Sequence, residues 1–131
     1  CGTLILENNH LKVVHSISKE YAPNDGIQIM EIDSFIKDSY PGNIYILRRK
    51  DSSLTQAFTV KITAFEKRKI PFDYQFNFKD KSEMFCSEIL YHAYNEIGDS
   101  AVYQNSSLKN LSFQVYFDTN KFTRIPFIKK L

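Results

Sequence analysis

A chain of 131 residues, 43% of them apolar and 15% aromatic, is long enough to bury one real core and short for two domains, so a single domain is expected. Its 17 basic and 15 acidic residues leave a formal charge of +2 and are scattered, which argues against a nucleic-acid partner or a membrane surface. No run approaches the roughly 18 apolar residues of a membrane helix, and the two cysteines neither form a disulfide framework nor stand at zinc spacing with histidines, so neither metal nor cofactor is expected.

Cys1-Gly2-Thr3-Leu4-Ile5-Leu6 is already strand-like, without an initiator methionine or a basic-then-apolar leader. Either the sequence starts inside a larger protein or Cys1 is a mature terminus, such as a lipoprotein's modified cysteine; the first is favoured, because domain ends are seldom strand interiors. Gly2 to Glu7 and Leu11 to Ile17, with Asn8-Asn9-His10 as a polar turn, predict a β-hairpin. Leu11, Val13, His15 and Ile17 share one face of the second strand by the period of two, which sends His15 where apolar residues point. A loop from Ser18 to Asp25 leads through Gly26 to a short strand, Ile27 to Met30, and a short helix from Ile32 to about Lys37. Pro41-Gly42 turns into a strand from Asn43 to Arg48.

Ser52 or Ser53 is placed to cap a helix whose Leu54, Phe58, Ile62 and Phe65 form a stripe at helical spacing, running to about Arg68. Pro71 closes it, and Phe72 to Ser82 forms an aromatic and charged loop. Ile89, Leu90, Ala93 and Ile97 then mark an amphipathic helix, with Cys86 on the same stripe in its first turn and Gly98 as its C-cap. Leu111 to Phe117 and Phe122 to Ile128 supply late strands. Strands at both ends with helices between them predict an α+β domain with a mainly antiparallel sheet.

Cys86 is the residue to which chemistry attaches. Unpaired N–H groups and the positive dipole end at a helix start favour a thiolate and can receive an oxyanion. Against this, an unpaired cysteine is usually a small buried hydrophobe. His92, six residues on, stands roughly 9 Å up and about 240° around the helix and cannot touch the thiol; His10 belongs to a solvated turn.

In this order and spacing, Cys1-Gly2-Thr3-Leu4-Ile5-Leu6-Glu7, Val13-Val14-His15-Ser16, Gly26-Ile27-Gln28-Ile29 with Ile32-Asp33-Ser34-Phe35, Phe72-Asp73-Tyr74-Gln75-Phe76 and Phe85-Cys86-Ser87-Glu88-Ile89-Leu90 resemble the circularly permuted papain-like hydrolases of the NlpC superfamily, in particular the YiiX/YaeF-type amidases. The resemblance covers residues 1 to about 98. It implies a papain-like α+β domain, its N-terminal portion missing from residues 1–131, and a cysteine hydrolase that cleaves an amide or peptide bond through an acyl-enzyme. Cys86 is then the nucleophile. His15 stands at the family's third polar position, as in the related lecithin:retinol acyltransferases, and orients the base; the family's His-x-Gly base would lie just before Cys1, and without one there either His15 itself is the base or the site is dead. Asp73 resembles the residue that fixes the loop beneath the cysteine, Tyr74 with Phe76 could line a substrate groove, and Glu88 is expected to face away from Cys86.

The implied partner is a peptide or amide substrate, cell-wall peptide and lipid-linked amides included, and the implied location, from resemblance alone, is a bacterial cell envelope. Two rivals keep the fold: a lipid acyltransferase or thioesterase with the same Cys–His chemistry, and a non-catalytic binding module that has lost its base.

Overall fold

The computed structural model describes residues 1–38, 44–104 and 115–126. The element order is β1 (Thr3–Glu7), β2 (His10–Ile17), β3 (Gly26–Glu31), α1 (Ile32–Asp38), β4 (Tyr45–Arg49), α2 (Thr55–Lys67), α3 (Cys86–Glu96), β5 (Val102–Tyr103), β6 (Tyr116–Phe117) and β7 (Phe122–Pro126). Among the described residues the strands form three antiparallel sheets: β1-β2-β3, β4-β7 and β5-β6.

The first hairpin is tighter than the sequence suggests. Asn8 and Asn9 alone make the turn, both at positive φ (50° and 63°), the pattern that matches strand twist in two-residue hairpins and that asparagine tolerates. His10 therefore opens β2, opposite Glu7. Gly26 starts β3 at φ +92°, where a Cβ would collide with the Ile70 carbonyl and come within 2.8 Å of the Pro71 Cα. The Ile27 N–H donates to that same carbonyl at 2.8 Å. Only glycine permits so close a backbone approach, and it stitches the sheet to the chain leaving α2.

α2 begins one or two residues later than a cap at Ser53 or Ser52 would place it. Leu54 is its N-cap residue and no side chain caps the start, while Ser53 gives its N–H to Asp51. The Pro41-Gly42 turn, residues 111–114 of the strand expected from Leu111 and the end of the last expected strand beyond Pro126 lie outside the described residues, and β5 is a strand that the sequence did not predict.

Alternation on β2 and β3 sends Val14, Ile27 and Ile29 toward α2 and α3, where Ile62, Phe65, Ile70, Met84, Ile89 and Ala93 complete the main core. Burying a side chain such as Ile89 contributes about 1.5–3 kcal/mol. A second cluster of Tyr94, Ala101, Val102 and Phe122 holds the C-terminal strands to the other end of α3. Packed at both ends, α3 is a rigid mount for the residue at its start.

Candidate active site

Cys86 is the first residue of α3, partly exposed and unbridged. Phe85 before it is extended (φ −91°, ψ 173°) and serves as N-cap residue, so the helix itself offers no acceptor to the N–H groups of Cys86 and Ser87. This is the geometry that stabilises negative charge on sulfur or on a carbonyl oxygen.

Two connections hold the approach to the cysteine. The Met84 N–H donates to the Pro71 carbonyl at 2.9 Å, and the buried Ser16 hydroxyl donates to the Met84 carbonyl at 2.6 Å. Ser16 thereby fastens β2 two residues before Cys86. Nothing in the sequence singled it out, because a serine beside His15 carries no pattern of its own.

His15 leaves β2 on the other face, as alternation requires. Its ring meets Phe35 of α1 edge-on at 5.3 Å, it is 6% exposed, and its buried Nε2 has no partner among the described residues. Burial pushes its pKa below the ordinary 6.5, favouring the neutral ring.

Asp73 does what the loop needs. It is 1% exposed, and its carboxylate accepts the N–H of Gln75 at 2.8 Å and of Asn77 at 2.6 Å. Between those two residues Phe76 is held at φ +53°, a left-handed conformation that costs a bulky residue about 1–2 kcal/mol. Its exposed ring stands 5.1 Å from that of Phe85. The Tyr74 hydroxyl accepts the Lys19 N–H at 3.0 Å and its ring packs on Phe72, tying this loop to the one after β2.

Glu88 does not reach solvent. It is fully buried, with Oε2 accepting the Phe85 N–H at 3.1 Å and Oε1 3.0 Å from His92 Nε2. Burial pushes its pKa above the ordinary 4.5, partly offset by these bonds. His92, set aside for its distance from the thiol, thus has a partner four residues back. The i, i+4 spacing of Glu88 and His92 was the signal that could have found the pair.

Among the described residues no group of three or more His, Cys, Asp or Glu side chains is arranged to hold a metal ion, and no helix is long and apolar enough to cross a membrane. A groove of about 210 Å³ lies between the first hairpin and α2, lined in part by Ile5, Val14, Ile29 and Thr63; Cys86 is not in its wall.

Residues 4–124 match the family of permuted papain-like amidases, YaeF/YiiX, C92 family. Among solved structures the chain is similar to the crystal structure of the metalloprotein YiiX from Escherichia coli O157:H7, at 14% identity and a TM-score of 0.69, covering 95% of this chain and 79% of that one. No curated protein matches it. The chain belongs to the permuted papain-like amidases: it has their α+β fold and is a cysteine amidase of that class.

Proposed function

We propose that this amidase acts through Cys86, with the imidazole of His15 as the group that orients its base. The observation that carries the reading is the placement of a partly exposed thiol as the first residue of α3, in a chain whose family hydrolyses amides.

The thiolate attacks the amide carbonyl carbon, forming a C–S bond while the carbonyl oxygen takes the electron pair and is received by the Cys86 N–H. As the tetrahedral species collapses, the C–N bond breaks and an imidazolium gives its proton to the leaving amine. Water then gives a proton to the imidazole and attacks the thioester, releasing the acid and the thiolate. The loop ordered by Asp73 and Tyr74 supplies one wall for the substrate.

The strand register supports the role of His15. With Thr3 opposite Val14, one step outward sets Gly2 opposite His15. A base histidine two residues before Gly2, where the family resemblance expects it, would stand diagonal to His15 on the same face, within reach of a cross-strand pair. The unpartnered Nε2 of His15 suits such a neighbour. Residues 1–131 form one hydrolase domain in this reading.

Hydrolysis of a panel of peptides and N-acyl amides tests it. Cys86→Ala should lose more than about 1,000-fold in kcat/KM without loss of fold, while Cys1→Ser should match the unmodified protein, and mass spectrometry should find the acyl group on Cys86. Hydrolysis by folded Cys86→Ala at the original rate would overturn the assignment.

A further inference from the structure

We propose that Glu88 is a positioning residue: its buried carboxyl group, locked between the Phe85 amide and the His92 imidazole, sets the backbone that carries Cys86. This rests on the reading of Cys86 as the nucleophile.

The contacts close a circuit around the residue before the thiol. Glu88 holds the Phe85 N–H at 3.1 Å and His92 at 3.0 Å. The His92 ring packs on Phe78 at 6.3 Å, and Phe78 on Phe85 at 5.0 Å, edge to face. Phe85 is thus fixed through its main chain by one side of the circuit and through its ring by the other. Movement of Phe85 would turn the Cys86 N–H and side chain with it, and displacements of about 1 Å can cost 100-fold in rate.

Helix capping alone does not call for this arrangement. A capping-box glutamate at N3 accepts the N-cap N–H from the surface as well, whereas a fully buried carboxyl must recover its desolvation through partners such as His92. Its charge matters too, because a lone carboxylate two residues along the helix from the sulfur would oppose a thiolate. Burial works against that charge, raising the Glu88 pKa above the ordinary 4.5, and His92 Nε2 lies 3.0 Å from Oε1. Asp73 also faces this carboxyl electrostatically, but its own oxygens are engaged by Gln75 and Asn77.

The test is carried out on the full chain with Cys1→Ser as background, reading the rate of Cys86 alkylation by iodoacetamide at neutral pH together with kcat and KM for the best amide of the panel. Glu88→Ala should slow alkylation and lower kcat about tenfold or more while KM moves less than about twofold. Glu88→Gln, which retains an uncharged acceptor for the Phe85 N–H, should recover to within about threefold. A folded Glu88→Ala that alkylates at the parent rate overturns the proposal. Should Glu88→Ala not fold, Glu88→Gln and Glu88→Asp decide: the shorter, charged aspartate should be the slower, and equal rates overturn the proposal. Alkylation needs no substrate, so slowed alkylation in the Glu88 variants alongside full hydrolysis by Cys86→Ala would sink the nucleophile assignment and leave the positioning role standing.

Discussion

His15 on β2 and His92 on α3 are almost equally buried, 6% and 3% exposed, yet only one of them is satisfied. His92 meets a carboxyl oxygen at 3.0 Å. His15 lies against a phenyl ring with its Nε2 unpartnered among the described residues. A buried polar group left without a hydrogen bond costs about 1–3 kcal/mol, so the two histidines differ in what burial costs them: His92 has a partner, and His15 has none for Nε2 among the described residues.

The sharpest way to break this contrast is kinetic. His15→Ala should lower kcat about 100- to 10,000-fold, the range lost when an imidazole's proton transfer or its orientation fails. Measured against pH with the best amide, an unchanged kcat would reduce both histidines to core residues.

Stability should move in opposite directions at the two positions. His15→Leu removes the unpartnered nitrogen and should raise unfolding free energy by about 1 kcal/mol. His92→Leu strands the Glu88 carboxyl and should lower it by about 3 kcal/mol. Urea titrations with unchanged m-values would read both, and a loss of stability in His15→Leu would mean that its ring is well placed as packing.

The smallest effects lie in the pH dependence of melting. The folded pKa of His15 is below 6.5, so the unfolded chain takes up its proton first and stability falls as pH drops from 6.5 toward that lower value. Glu88 is displaced the other way, above 4.5. The native state holds its proton longer, and that contribution is full below 4.5 and fades as pH rises through the raised value. Melting curves should show His15→Leu flattening the acid-side decline and Glu88→Gln flattening the decline above 4.5, each by a few degrees. Unaltered slopes would remove the ionisation difference between the two sites.

Much of the site's frame was legible in the chain because periodic patterns carry it. Cys86, Ile89, Leu90 and Ala93 repeat on one helical stripe, and the structure starts α3 at Cys86 and buries the three apolar residues. The role of Asp73 came from the family resemblance and not from a period, and its carboxylate accepts two loop amides. Of Glu88 the sequence said only that it should face away from Cys86. Its burial depends on Phe78 and Phe85 folding over the start of α3, a long-range packing event with no local signature. Ser16 escaped for the same reason, since its partner, the Met84 carbonyl, is 68 residues away.

From the sequence alone came most of the described elements, though not β5, the α+β order and the identity of the one cysteine at a helix start, because hydrophobic period and turn chemistry act over a few neighbouring residues. Which polar groups meet was settled only in three dimensions. Hydrogen bonds between a strand serine and a carbonyl beside the nucleophile, or between an acid and a histidine sealed under aromatic rings, exist only after distant segments have excluded water between them.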